Sequence, residues 1–392
     1  MHIRPDCAVH IYRKYPVMAS RIAYVVTEDW FFTQHRLPMA RAARDAGFEV
    51  HVLARLTDGA SKIVREGFVP HPLSWRRRSM SPLAGAAAVA EIRSTLNRIR
   101  PGIVHNVALK PAVIGSLACL GLPDVRVVNS ITGLGSAFLR RSPSGRALRT
   151  MLRLSFTLLF NREHTRILVQ NPDDRAAMLA AGVCPDRIVL IPGSGVDTDL
   201  LKPLPEPPPP IRIAFVGRML EDKGVRTLIE AHRRLRARHM AIELVLAGVP
   251  DPENPTSIPQ AELEAWARTE GVTWLGYVQD IKSVWAASHI AVLPSRREGL
   301  PKSLLEAAAT SRPLIATDAP GCREVVRHGE TGLLVPVDQP EPLAEAIAKL
   351  AGDAGLRRRM GDAARALTVA RFSSEDIGRQ TVGLYKSLLV GP

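Results

Sequence analysis

The stretch LKPLPEPPPPI (Leu201–Ile211) divides the chain: six of the eight positions from Pro203 to Pro210 are proline. Proline lacks the N–H that a helix interior or a sheet ladder needs, so the run reads as a stiff polyproline connector between two domains. On both sides of it, short β-branched runs alternate with helical patterns. Upstream, strands are expected over 21–26, 49–54, 102–107, 125–130, 166–170 and 187–191, with one helix running from the first strand to Gly47. Downstream, they are expected over 211–217, 242–248, 272–275, 289–294, 313–317 and 332–335, and from Pro340 onward the pattern is helical. Strands separated by helices of this length build right-handed βαβ units and parallel sheets covered on both faces. The expected fold is α/β, two Rossmann-like doubly wound domains facing a cleft, with ligands at the carboxyl ends of the strands. The spans are 1–200, the linker 201–211, 212–373, and a last helix within 374–392.

The length of 392 residues suits two domains. With 46% hydrophobic and 23% charged residues, the composition excludes a wholly disordered chain, a collagen-like chain and a disulfide framework. Lys and Arg number 52 against 38 Asp and Glu, a formal net charge of +14. The excess is one-sided, since residues 1–200 hold 27 basic and 15 acidic side chains while 201–392 hold 25 and 23. A polyanionic partner therefore belongs to the first half. Cys7, Cys119, Cys184 and Cys322 stand far apart, which argues against disulfides or a zinc cluster and fits a reducing cytoplasm. The longest charge-free apolar stretch, Pro111–Pro123, is too short to cross a bilayer. Arg13 and Lys14 interrupt the only mildly apolar region near the N-terminus, so no signal-peptide pattern is read there. Met18 is a candidate natural start, with the residues before it an overlong reading frame.

Two stretches of the second half carry chemistry. In FVGRMLEDKGV (Phe215–Val225) a strand ends at Gly217, and Arg218 and Lys223 follow before a helix opens. Two cations at a strand-to-helix junction are placed to hold a diphosphate, although a solvated basic loop has the same pattern. In PSRREGLPKSLLEAA (Pro294–Ala308), Glu298 lies in a loop after a strand, Pro301 suits the first turn of a helix, and Glu306 sits about five residues into it. Glu298 then stands at the helix mouth beside Gly299, Leu300, Pro301 and Lys302, whose backbone can meet sugar or phosphate oxygens. Glu306 can reach back toward a ribose. The plainer reading is one acidic loop residue and one ordinary helix glutamate.

In this order and spacing, FVGRMLEDKG, EGLPKSLLEAA and ATDAPGCREVVRHGETGLLVPVDQPEPLAEAI resemble the donor half of retaining GT-B glycosyltransferases of the group 1, or family 4, type. More narrowly, the chain resembles bacterial enzymes that extend polyprenyl-diphosphate-linked glycans. The resemblance runs from about Arg21 to the C-terminus and includes the Glu-x7-Glu element and GSGVDTDLLKP (Gly193–Pro203). It implies that Arg218 and Lys223 hold the diphosphate of a UDP-sugar, Glu306 the ribose and Glu298 the transferred hexose or N-acetylhexosamine. The backbone of Gly276–Val278 would face the base, and the last helix would pack on the N-terminal domain. It further implies retention of configuration without a metal ion; a front-face route, in which the leaving phosphate helps deprotonate the acceptor, needs no protein nucleophile. Asp197 and Asp199, which mimic a metal motif, are read as turn and cap residues.

The first half departs from the family. Where many relatives have Gly-Gly after the first strand, this chain has Thr27-Glu28-Asp29-Trp30-Phe31-Phe32, bulky and acidic. Trp30 and Phe31 suit stacking on an acceptor sugar or lipid segment, or equally a hydrophobic cap on the helix. Where relatives place a histidine, NSITGLGSAF (Asn129–Phe138) offers Thr132 and Gly133 instead. His105 and Lys110 complete the acceptor-side candidates. Arg76–Arg78 and RRSPSGRALRTMLR (Arg140–Arg153) concentrate the basic charge, and Arg146, Arg149 and Arg153 on a helix with Leu and Met suit an anionic bilayer surface or a solvated core helix. Nucleic acid is the rival polyanion, but RNA-binding signatures are missing and aromatics make up only 5%. The expectation is a cytoplasmic enzyme, peripheral on the inner face of the cell membrane, using a UDP-sugar and a polyprenyl-diphosphate-linked acceptor. A sugar-nucleotide 2-epimerase of the same fold, and a non-catalytic sugar-nucleotide-binding protein, are the alternatives.

Overall fold

The computed structural model describes residues 20–75, 77, 81–131 and 155–390. Thr132, Gly133, Arg146, Arg149 and Arg153 lie outside the described residues. The first sheet contains β1 (Arg21–Glu28), β2 (Glu49–Arg55), β3 (Val69–Pro72), β4 (Ile103–Val107), β5 (Arg126–Ile131), β6 (Thr165–Val169) and β7 (Ile188–Leu190), in the order β3-β2-β1-β4-β5-β6-β7. The second contains β8 (Ile211–Val216), β9 (Ile242–Ala247), β10 (Val272–Gly276), β11 (Ile290–Leu293), β12 (Leu314–Thr317) and β13 (Gly332–Val335), in the order β10-β9-β8-β11-β12-β13. Every pairing within both sheets is parallel. Each sheet is thus doubly wound, and its order reverses beside its first strand, at β1/β4 and at β8/β11. A crevice opens at that reversal, outside the carboxyl ends of the strands.

Parallel strands covered on both faces need apolar side chains on both, and β4, β11 and β12 are buried at every position. Two elements differ from the sequence expectation. β3, with the sequence Val-Pro-His-Pro, is too short and too proline-rich to read as a strand; it survives because an edge strand need not donate on its outer side. The single helix expected before Gly47 is two helices, Asp29–His35 and Leu37–Asp45, broken at Arg36. Pro38 causes the break, for it has no N–H to return to the carbonyl of Gln34 four residues back.

The last helix, Ser374–Val390, leaves the second sheet and packs on the first domain. Its Ile377, Leu384, Tyr385 and Leu388 join Ile22, Tyr24, Met39 and Val52 in one apolar cluster. Gly378 lies so close to Ala42 that an added Cβ would stand 2.8 Å from the alanine methyl. A buried polar chain runs through this contact: Tyr385 Oη lies 2.8 Å from Tyr24 Oη and 2.6 Å from His105 Nδ1, and His105 Nε2 lies 2.6 Å from Ser130 Oγ. Cys119 and Cys322 are buried free thiols, and Cys184 is an exposed one. Among the described residues no helix is long and apolar enough to cross a membrane.

Candidate functional site

Both chemistry-bearing stretches leave strands that flank the β8/β11 reversal, so the fold brings them together. β8 ends at Val216, and Gly217, Arg218 and Lys223 follow; β11 ends at Leu293, and the loop through Glu298 leads into the helix Lys302–Ala309. Gly224 makes the close approach possible. It has φ of 72°, and a Cβ there would sit 2.0 Å from the carbonyl oxygen of Pro294. With the two turns pressed together, Lys223 Nζ donates to Glu298 Oε1 at 2.5 Å. Both side chains are largely buried, with 21% and 11% of their surface exposed.

Arg218 does not join that pair. Its Nη1 donates to Asp251 Oδ2 at 2.6 Å, in the loop after β9, and the same oxygen accepts from Arg77 of the N-terminal domain at 2.7 Å. Burial works against the Asp251 charge, but the two guanidinium hydrogen bonds outweigh it and hold its pKa below the ordinary carboxylate range. Val278 is half-buried just beyond β10, whose Gly276 carbonyl accepts from Gly248 N at 2.7 Å, so the loops after β8, β9 and β10 form one wall.

Glu306 is buried in the helix Lys302–Ala309, with Pro301 as its N-cap residue. Burial pushes its pKa upward, opposed by the Lys302 ammonium 3.3 Å away. Lys302 also crosses the cleft, donating to Gln34 O at 3.1 Å. That is the carbonyl which Pro38 leaves without a helical donor, so the broken helix of the first domain supplies an acceptor for the second. Gly299 and Pro301 are buried, while Leu300 is half-buried beside them.

On the acceptor side the outcome is mixed. His105 is a correction: it lies wholly buried within β4, both ring nitrogens are engaged by Tyr385 and Ser130, and burial holds its pKa well below the ordinary value. It is part of the core and does not face the cleft. Glu28 and Asp29 turn inward as well, Glu28 accepting from Arg55 at 2.8 Å and Asp29 from the Thr57 hydroxyl at 2.6 Å. These two acidic residues therefore do not line the opening, and half-buried Trp30 and Phe31 remain there with rings 5.9 Å apart. Lys110 stands over the Trp75 ring at 5.9 Å and donates to the Arg77 carbonyl at 3.5 Å. Asp197 caps its own turn, with Oδ1 accepting from Asp199 N and Leu200 N at 3.0 and 2.8 Å. Among the described residues no three His, Cys, Asp or Glu side chains are grouped to hold a metal ion.

Comparison with known proteins agrees in both halves. Residues 210–353 match the family described as glycosyl transferases group 1, and residues 21–171 match glycosyl transferase 4-like. Each half of the chain therefore resembles glycosyltransferases, the second half those of group 1. The chain is 33% identical over 180 residues to the alpha-D-kanosaminyltransferase of Streptomyces kanamyceticus, a match that spans 45% of each chain and so less than half of that relative's length. It is 25% identical over 368 residues to the N,N'-diacetylbacillosaminyl-diphospho-undecaprenol alpha-1,3-N-acetylgalactosaminyltransferase of Campylobacter jejuni, covering 90% of this chain and 95% of that one. The Anabaena protein HepE, solved in complex with UDP-glucose, superposes with a TM-score of 0.75 at 18% identity, over 93% of this chain and 99% of its own. These are GT-B structures and transferases, and the epimerase reading of the same fold draws no support from them.

Several cleft residues escape a reading of the sequence. His35 ends the first helix with its ring 4.7 Å from that of Phe31. Burial, reinforced by Lys302, Arg36, Arg218 and Lys223, lowers its pKa to about 3, so it stands as a neutral imidazole among cations. Asp251, Asn171, Asp174 and Arg297 escape it too. Asn-Pro-Asp-Asp at 171–174 is legible as a helix start. Its reach into the other domain has no local signature.

Proposed function

We propose that the protein transfers a sugar, a hexose or N-acetylhexosamine, from a UDP-sugar to a lipid-linked or polysaccharide-precursor acceptor with retention of configuration. The observation that carries this reading is the Lys223–Glu298 pair at the β8/β11 reversal, with Arg218 and Glu306 flanking it. Breaking the anomeric C–O bond leaves positive charge on the sugar and negative charge on the departing diphosphate. Cations fixed before the reaction stabilise the second without reorganising. Arg218 and Lys223 take that role, Glu298 accepts hydrogen bonds from the transferred sugar, and Glu306 accepts them from the ribose. The acceptor hydroxyl forms the new C–O bond on the face the phosphate leaves, and its proton passes to the leaving phosphate oxygen. The chain's own residues suffice for this charge balance, so transfer is expected without added metal.

UDP as the carrier is supported by the fold shared with HepE, solved with UDP-glucose. A diphospho-undecaprenol acceptor is named in the Campylobacter relative, and the basic first half suits a diphosphate lipid at an anionic membrane on the cytoplasmic side. Incubation with a panel of UDP- and GDP-sugars and polyprenyl-diphosphate-sugar acceptors, with release of nucleoside diphosphate followed, tests the proposal. Acceptor-dependent release of UDP supports it. An isomerised donor formed without acceptor would replace it with an epimerase, and binding without turnover with a sugar-nucleotide-binding protein.

A further inference from the structure

The loop that carries Glu298 is held by the opposite domain as well as its own. On its own side, Glu298 N donates to Pro320 O at 3.0 Å, and Gly321 lies so close that a Cβ there would stand 2.5 Å from the Glu298 carbonyl oxygen. From the N-terminal domain comes Asn171, the N-cap of the helix Pro172–Ala180. Its Oδ1 accepts from Asp174 N at 2.7 Å, as a cap should. Its Nδ2 is turned the other way, to Gly299 O at 2.7 Å and Asp174 Oδ2 at 2.9 Å. The other oxygen of Asp174 accepts from Arg297 Nη2 at 2.5 Å. Asn171 and Asp174 are both wholly buried.

This is an expensive way to join two domains. Removing a carboxylate and a guanidinium from water is costly, and their attraction roughly cancels that cost, so such a pair adds little net stability over apolar packing. What it does supply is geometry, because an ion pair and an amide-to-carbonyl bond tolerate little displacement. Both act within one residue of Glu298, on Arg297 and Gly299.

We propose that Asn171 and Asp174 are positioning residues of the donor site: from the opposite domain they fix the 297–299 backbone so that the Glu298 carboxylate meets the transferred sugar. This rests on the role given to Glu298 above. The half of the site that reads the sugar is then complete only with the two domains together, whereas the half that holds the diphosphate, Arg218 and Lys223, belongs to the second domain alone.

The test compares UDP with UDP-glucose, UDP-galactose and UDP-N-acetylglucosamine by calorimetry on the full chain, taking the UDP-sugar that the wild type binds best. Asp174→Asn and Asn171→Ser are the main variants. Asn171→Ser retains a good helix cap but loses the donor to Gly299 O, so it separates positioning from folding. Each is expected to weaken the UDP-sugar about fivefold or more while UDP affinity stays within about twofold. Turnover, normalised to UDP-binding stoichiometry and hence to folded protein, should fall at least as far. Arg297→Gln should match Asp174→Asn, and the double variant should be no worse than either, since one ion pair is broken in all three. Equal loss for UDP and UDP-sugar, or wild-type behaviour of Asn171→Ser, overturns the proposal. A wild type that binds none of these ligands instead refutes the UDP-sugar reading, and this inference with it.

Discussion

Lys223→Ala separates the jobs given to the two members of the central pair. Lys223 Nζ holds Glu298 Oε1 at 2.5 Å, and only 11% of the glutamate side chain is exposed. Truncating the lysine leaves a carboxylate that water reaches poorly, at a cost of about 1–3 kcal/mol to the free protein. In the complex the same ammonium is assigned to the diphosphate. A hydrogen bond between charged groups contributes about 1.5–3 kcal/mol there; less the Glu298 pair that wild type gives up on binding, the Kd for UDP should weaken, by roughly 10- to 150-fold at most. The partner substitution has the opposite logic. Glu298→Ala releases Lys223 from a competitor it must otherwise leave, so UDP should bind as well as to wild type or a few-fold tighter, while transfer is lost. Calorimetric titration with UDP, paired with UDP release in the presence of donor and acceptor, reads both quantities. Wild-type UDP affinity in Lys223→Ala, or an equal loss in Glu298→Ala, would falsify the division of labour. The Kd ratio should also shrink as ionic strength rises, because diphosphate and ammonium meet in a partly open site.

Asp251→Asn removes the carboxylate that Arg77 and Arg218 share, and UDP affinity should rise about two- to fivefold, a modest gain because Arg218 is 43% exposed. Weaker UDP binding would instead make Asp251 an orienting partner that Arg218 needs. Glu306→Leu should erase most of the preference for UDP over 2′-deoxy-UDP and leave inorganic pyrophosphate binding unchanged; intact discrimination would remove Glu306 from the ribose. Burial lowers the pKa of His35, His51, His71, His105, His232 and His289. These side chains bind protons more readily unfolded than folded, so stability falls as pH drops below about 6.5. His35 alone, with its pKa near 3, accounts for at most about 2 kcal/mol between pH 7 and 5. Urea midpoints at the two pH values should therefore converge in His35→Gln, and an unchanged gap would refute the assignment.

The sheets are legible in the sequence because each strand is a short buried run bounded by helix-length spacers, and the polyproline stretch marks where one series gives way to the next. Lys223 and Glu298 are legible for a related reason. Both follow strands that flank a chain reversal, so strand order alone places them across one crevice. His105 misleads because the sequence places it near the carboxyl end of its strand without saying which way its ring turns; it turns into the core, hydrogen-bonded to a tyrosine 280 residues away. Asp251 and Asp174 are invisible for a common physical reason. Each acquires its meaning from an arginine in the other domain, and nothing near it in the chain encodes that distance.

The second domain is nearly neutral by count, yet its site is cationic by placement. Each cation proposed to face the diphosphate is held by one carboxylate, Lys223 by Glu298 and Arg218 by Asp251. On the proposed assignment these carboxylates keep two partly desolvated cations where a diphosphate would need them, which would spare reorganisation on binding. They also oppose its entry, so neither cation is wholly available to the ligand. The two pairs part company once the diphosphate is bound. Glu298 stays within its own domain and is assigned to the sugar once Lys223 moves to the phosphate. Asp251 is shared with Arg77, so drawing Arg218 onto a phosphate leaves the Asp251–Arg77 contact as a surviving link between domains. Donor binding on this arrangement need not break the interface to free the cation. Arg77→Gln should therefore alter the domain contact with little change in donor affinity, whereas Asp251→Asn should alter both, and comparing scattering profiles with UDP titrations separates the two outcomes. Identical effects of the two substitutions on both measurements would mean that the three residues act as one unit.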